Sequence, residues 1–430
     1  MTTTRFLTGI TPSGTPHLGN YAGMMRPAIA ATRTPGVENF YFLADYHALI
    51  KCQEPERIHR STLEIAASWL ACGLDPEQVT FYRQSDVPEI PELHWLLTCV
   101  TGKGLLNRAH AYKAVQDKNA EAGREADDGV SAGLFMYPVL MAADILAFNA
   151  HKVPVGRDQI QHIEMARDMA SSFNHLYGEH FTLPEAAIED NVATLLGLDG
   201  RKMSKSYDNT IALFCPPEQL KKLIGSIVTD SRAPGEPKET EGSALFQLYQ
   251  AFATPEETAA MRRAFAEGIA WGEAKQMLFE RIDREIAPMR QRYTELMANP
   301  AEVERILQAG AEKARAESAP YMRQLRTSAG LRSLSVSAVA AQPKAAGKSA
   351  PPAFRQYREK DGLFYFKLAT PGGAALLQSR GYANPREAAA AIALCKEHGK
   401  AALASLQDQV QLLAATAAVE EGLQQLQSTD

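Results

Sequence analysis

Short strand-like runs alternate with helical patterns through the first half of this 430-residue chain, and that alternation constrains the fold more than any other feature. Repeated strand and helix signals argue for a mostly parallel sheet covered by helices, an α/β architecture. Residues 5–8, 39–44, 79–83 and 152–155 read as strands, and 55–71, 91–101, 134–148 and 158–173 as helices. In the last helix Ile160, Ile163, Ala166 and Met169 recur at helical spacing, and Asp158 with Gln161 suits a capping box. From 216 to 331 the pattern turns almost wholly helical. With 45% hydrophobic residues the chain can bury a sizeable core in two or three domains.

The first strand leads into Thr11, Pro12, Ser13, Gly14, Thr15, Pro16, His17, Leu18, Gly19 and Asn20, which read as a turn and a helix start. Unpaired N–H groups at a helix start favour anions, and glycines let a phosphate approach the backbone. His17 adds a side-chain donor. A surface turn beside a buried histidine would carry the same signals. A second segment is more specific: Lys202, Met203, Ser204, Lys205 and Ser206. A given five-residue string arises by chance in a chain of this length on the order of once in ten thousand cases. Its two lysines, flanked by Gly200 and by Asp208 and Asn209, make a cationic loop suited to a polyphosphate leaving group.

Together these segments resemble the signature motifs of class I aminoacyl-tRNA synthetases: His17-Leu18-Gly19-Asn20 matches the first and Lys202 to Ser206 the second. Further matches at 9–14, 131–133, 137–146 and 155–162 point to the bacterial tryptophanyl-tRNA synthetase family. The resemblance covers roughly residues 1–331. It implies a doubly wound, Rossmann-like parallel-sheet catalytic domain over 1–210 and a helical anticodon-binding region over 211–331. It also implies activation of L-tryptophan by ATP with Mg²⁺, transfer to tRNA(Trp), and a homodimer.

The same resemblance assigns site residues. His17, Asn20, Lys202 and Lys205 are implied as catalytic. Thr11, Pro12, Ser13, Gly19, Gly156, Arg157, Asp158, Ala193, Met203, Ser204 and Ser206 are implied as further ATP contacts. Arg157 departs from the acidic residue of many relatives, and Asp158 also reads as a helix cap. Lys113 is the match for lysines that approach the triphosphate, ahead of a polar loop at 117–130. Tyr137, Met141, Asp144 and Gln159 are implied as tryptophan contacts. An indole needs a polarisable apolar wall and one acceptor for its N–H, and Met141 and Asp144, three apart on a helix, supply both.

The formal net charge of −5 lends no support to a nucleic-acid partner, so the tRNA expectation rests on the resemblance, and no DNA is expected. No apolar run reaches the roughly 20 residues needed to span a bilayer, and the first five residues lack the apolar core of a signal peptide. A cytoplasmic protein without membrane contact is expected. The cysteines at 52, 72, 99, 215 and 395 have no metal-ligand spacing, so no protein metal site is expected.

After residue 331 the resemblance ends. Residues 332–353, rich in Ala, Ser, Pro and Lys, suit a linker. A small α+β domain follows over 354–405: Phe364, Phe366 and Leu368 alternate as a strand, 371–373 forms a turn, 374–382 a second strand, and 385–398 a helix capped by Asn384. Residues 406–430 read as a tail with a short amphipathic helix. Two other readings remain open for the whole: a tyrosyl-tRNA synthetase, or a catalytically inactive synthetase-like regulator that binds RNA.

Overall fold

The computed structural model describes residues 3–12, 14–188, 195–331, 334, 352–359, 361–370, 374–406 and 408–427. The chain divides into two compact units, Met1–Arg332 and Ser333–Asp430.

In the first unit five parallel strands, β1 (Thr4–Ile10), β2 (Val37–Leu43), β3 (Val79–Arg83), β4 (Lys152–Val155) and β5 (Glu185–Ile188), lie in the order β3-β2-β1-β4-β5. This is the doubly wound arrangement, and it opens a crevice at the carboxyl ends of β1 and β4 where the strand order reverses. Helices cover both faces, so the central strands read as apolar runs; the last five residues of β2 are all buried. The four predicted strands fall on β1 to β4. Strand β5 was not anticipated, because Glu-Ala-Ala-Ile at the sheet edge has no apolar alternation and exposes both its ends.

The helix predicted at 134–148 spans Ala132–Leu146, started by the Ser131 hydroxyl, which accepts the Leu134 N–H. The capping box expected at 158 and 161 does not form. A 3-10 turn over Arg157–Gln159 precedes the helix Ile160–Tyr177, and Gln161 instead accepts the His110 N–H and donates to the Arg108 carbonyl. The polar stretch at 117–130 is more ordered than its composition suggests: its first residues continue the helix His110–Glu121. Buried Asn119 then donates to the carbonyls of Ala126 and Asp128, winding the remainder into a turn.

The helical section comprises Pro217–Gly225, Ala244–Phe252, Pro255–Ala266, Trp271–Ala298 and Pro300–Ser328. No gap separates it from the sheet at 210/211. Phe81 and Leu43 share one apolar core with Leu278, Ile286 and Leu307. The last helix packs so closely on β3 that a Cβ on Gly310 would sit 1.7 Å from the Phe81 carbonyl oxygen. Arg83 pairs with Glu304 across this contact at 2.9 Å, and Arg326 pairs with Glu92.

In the second unit four antiparallel strands, β6 (Ala353–Arg358), β7 (Phe364–Ala369), β8 (Ala375–Ser379) and β9 (Val410–Leu412), lie in sequence order. The helix Pro385–His398 has the predicted bounds, and its Asn384 cap accepts from the N–H groups of Arg386 and Glu387. Residues 406–430, set apart as a tail, supply β9 and the helix Thr416–Gln427, whose Val419 and Leu423 are buried in the same core as Phe366 and Leu377. The predicted turn at 371–373 and most of the predicted linker lie outside the described residues.

A candidate nucleotide and amino-acid site

The segment after β1 and the lysine loop are adjacent through backbone pairing. The Leu18 N–H donates to the Ile211 carbonyl at 2.9 Å, the Leu213 N–H to the Pro16 carbonyl at 2.9 Å, and His17 pairs with Ala212. The chain just beyond Lys202 to Ser206 thus forms the wall against which residues 16–18 lie. Gly14 has φ +90, a conformation that favours glycine, and a Cβ there would stand 3.5 Å from the Lys205 Nζ. Met203, buried, lies against Gly19, where a Cβ would be 3.5 Å from its Sδ.

His17 and Asn20 make a reciprocal capping box: the Asn20 N–H donates to His17 Nδ1 at 3.3 Å and the His17 N–H to Asn20 Oδ1 at 3.1 Å. Since Nδ1 accepts, the neutral ring carries its proton on Nε2, a free-standing donor for an anion. Burial, with the Lys205 charge, lowers the imidazole pKa to about 4. Lys205, exposed as a residue, is still shifted down by partial desolvation among its neighbours, opposed by Glu64, a buried carboxylate that also accepts the Thr15 hydroxyl at 3.0 Å. The loop is pinned at its base by buried Asn209, which accepts the Ser204 N–H at 2.8 Å and donates to Asp199 at 2.7 Å and to the Lys202 carbonyl at 3.1 Å. The Asn209 amide, with Arg201, holds the Asp199 carboxyl down at about 2. Lys202 and Lys205 are exposed, Ser204 is half-buried, and the Ser204 hydroxyl accepts the Ser206 N–H.

A cleft of about 660 Å³ runs from Thr11, Pro12 and Gly156 inward to Tyr137, Met141 and Asp144. Asp144 is fully buried at its inner end, with Oδ2 2.8 Å from His47 Nε2 and Oδ1 accepting from Gln84 Nε2 at 2.7 Å. Burial raises its pKa, opposed by those two donors. Each carboxylate oxygen keeps a lone pair for a further donor. Gln84 is held in this orientation because its Oε1 accepts the Tyr46 N–H at 3.1 Å. Beside Asp144, the Tyr82 hydroxyl is fully buried with no hydrogen-bond partner among the described residues, its pKa driven up by burial and by the Asp144 charge. Along the cleft wall the Tyr137 hydroxyl bonds His162 Nε2, and His162 Nδ1 meets Gln159 Oε1 at 3.0 Å. Burial lowers the His162 pKa, and because Nδ1 faces the Gln159 amide oxygen the neutral ring donates from Nδ1 and accepts at Nε2. Gln159 in turn donates to Asp158 at 2.8 Å.

The description "tRNA synthetases class I (W and Y)" matches residues 1–286. A tryptophan–tRNA ligase of Xanthomonas campestris is 69% identical over 91% of each chain, and one of Pseudomonas aeruginosa is 62% identical over 90% of this chain and 87% of its own. The chain belongs to the tryptophanyl-tRNA synthetase family. Its fold is likewise that of solved members. A Campylobacter jejuni tryptophanyl-tRNA synthetase complexed with ADP and tryptophan matches with a TM-score of 0.70 and 43% identity, over 76% of this chain and 100% of that one. A Mycoplasma pneumoniae tryptophanyl-tRNA synthetase matches with a TM-score of 0.61 at 27% identity.

The family assignment gives the sequence-derived residues a common frame. The structure gathers Thr11, Pro12, Tyr137, Met141, Asp144, Gly156 and Gln159 in one cleft, with His17, Gly19, Asn20, Met203 and Lys205 in the adjoining wall. Arg157 and Asp158 are exposed on the turn that leads from the cleft, and Ser13 and Ala193 lie outside the described residues. Lys113, exposed on the helix His110–Glu121, does not line the cleft, whereas Ala111 does. Sequence reasoning missed His47, Gln84, Glu64 and His162 as partners of the site, and used Asn209 only as a loop flank. Nothing local marks the first two: they stand 97 and 60 residues from the carboxylate they hold. Among the described residues no group of three His, Cys, Asp or Glu side chains converges as a metal site, and no helix is long and apolar enough to cross a membrane.

Proposed function

We propose that this tryptophan–tRNA ligase works by two steps in the cleft. An oxygen of the L-tryptophan carboxylate attacks the α-phosphorus of ATP, the α–β phosphoanhydride bond breaks, and pyrophosphate leaves. A terminal ribose hydroxyl of tRNA(Trp) then attacks the carbonyl carbon of tryptophanyl-adenylate, and AMP leaves. One observation supports this reading: backbone pairing of 16–18 with 211–213 brings the two motif segments together beside a cleft of mixed apolar and polar lining that ends in buried Asp144.

In the first step the protein has little covalent chemistry to do, so positioning and electrostatics supply the acceleration. His17 donates from Nε2 to phosphate, Asn20 from its amide, and Lys202 and Lys205 stabilise the charge that builds on pyrophosphate. Thr11, Pro12, Ser13, Gly19, Gly156, Arg157, Asp158, Ala193, Met203, Ser204 and Ser206 line the nucleotide. Asp144 accepts the indole N–H, Met141 packs on the ring, and Tyr137 and Gln159 meet the amino-acid end. Mg²⁺ would enter with the phosphates of ATP and offset their charge, since among the described residues no group of three His, Cys, Asp or Glu side chains converges to hold it. Charging of tRNA is assigned to the cytoplasm, and the working form to a homodimer, as family membership implies.

The test is ATP–pyrophosphate exchange with each amino acid in turn and no tRNA. Exchange with tryptophan alone is expected. Exchange with tyrosine would overturn the Asp144 assignment, and silence with every amino acid would favour the inactive RNA-binding reading.

A further inference from the structure

The second unit carries a sheet whose two faces differ in chemistry. On one face Phe366, Leu368 and Leu377 are buried with Ala388, Cys395 and Val419 of the covering helices. On the other, residues paired across strands share a side: Arg355 with Lys367, Lys367 with Gln378, and Gln378 with Gln411. These four make one polar row, one residue from each strand. Tyr357 pairs with Tyr365 in the next row, their rings stacked with centroids 5.9 Å apart and planes at 20°. Lys367 Nζ lies 5.8 Å from the Tyr357 ring centroid. Arg355 and Gln411 are exposed, and Tyr357, Tyr365, Lys367 and Gln378 are half-buried, so none is sealed in the core.

We propose that this face is a single-stranded RNA-binding surface and that its ligand is the tRNA. Aromatic rings on an open sheet stack on bases, cations beside them meet phosphate, and amides reach base edges. The two polar rows contain two cations, two rings and two amides, and no carboxylate. Glu359 and Asp361 sit beyond one end, in the turn between β6 and β7, where Asp361 accepts the Tyr365 hydroxyl at 2.6 Å and helps hold that ring. An acidic protein partner would match the two cations but make no use of the paired rings. The local charge therefore fits RNA although the whole chain is net negative at −5. The Campylobacter jejuni enzyme is covered completely by 76% of this chain, so the synthetase fold is complete without an added unit of this kind. A second RNA contact on the same chain raises affinity through effective concentration. The proposal rests on the tRNA-charging reading above.

The experiment uses the full chain and its tRNA, with the variants Arg355→Glu/Lys367→Glu and Tyr357→Ala, and with Arg355→Gln/Lys367→Gln as the milder surface change. The expected result is a KM for tRNA raised about tenfold, with kcat at saturating tRNA unchanged. The slope of log affinity against log salt should also shrink by about 1.4 for the charge variants, which remove two phosphate contacts. ATP–pyrophosphate exchange should be unaltered. Unchanged tRNA affinity and salt slope in folded Gln/Gln and Glu/Glu variants would overturn the proposal, and so would an equal loss in exchange, which needs no tRNA. Failure of the underlying reading looks different: the unsubstituted protein would then show no tryptophan-dependent exchange at all.

Discussion

The two ends of the catalytic cleft are built on opposite principles. At the end proposed to take tryptophan a fully buried carboxylate is held by His47 and Gln84, and Gln84 is fixed in turn by a backbone N–H. At the end proposed to take the phosphates the cations are exposed, on a loop anchored mainly by Asn209. The difference follows from what each end must do. Recognising an indole against other side chains requires a dry acceptor whose misuse is costly, whereas expelling pyrophosphate requires charge that can follow the leaving group.

The largest expected effect lies at the dry end. Asp144→Ala leaves buried Gln84 and half-buried His47 without an acceptor and should lower kcat/KM for tryptophan in exchange by about 10³-fold or more, with weaker rejection of phenylalanine. A loss under about tenfold would break the contrast between the ends. Lys205→Ala should reduce single-turnover adenylate formation by about 10²- to 10³-fold while tryptophan binding, followed by equilibrium dialysis, stays unchanged. Equal losses in both would show that the two ends are not separable. Asn209→Ala should act through the loop alone, lowering kcat about tenfold, equivalent to about 1.4 kcal/mol, with no change in tryptophan affinity.

The smallest effect concerns pH and His17. In the unfolded chain its imidazole takes a proton near 6.5, but in the folded protein only near 4. Between these values the unfolded state binds more protons, so stability falls as pH is lowered through that window. Urea unfolding at pH 7 and pH 4.5 should show this loss in the native sequence and less of it in His17→Gln. An equal pH dependence in both would remove burial of His17 from the account.

How legible the site was in the sequence depended on how its residues are joined. Residues 11–20 and 202–206 are contiguous segments, and each exposes a local signal: glycines and a helix start in one, paired lysines in the other. Met141 and Asp144 are one helical turn apart and could be assigned to one face. The partners His47, Gln84 and Glu64 have no such signature, because a glutamine, glutamate or histidine turned inward is marked only by what it touches. The second unit shows the same limit. Its helix was read to the residue from Asn384 and the following proline, and the closing helix was anticipated as a short amphipathic one but set apart in a tail, while β9 was missed because three polar-flanked residues carry no pairing signal.

The sequence by itself determined the parallel α/β architecture, the two contiguous segments proposed here to bind phosphate and the helix that presents Asp144, since each depends on contacts within a few residues or on a repeated period. Tertiary structure alone decided that Asp144 would be held by two donors at once, that Asn209 would anchor the lysine loop, and that β6 to β9 would set Arg355, Lys367, Tyr357 and Tyr365 on one open face. Those arrangements depend on strand register and on packing between distant segments, and neither is encoded in any local stretch of the chain.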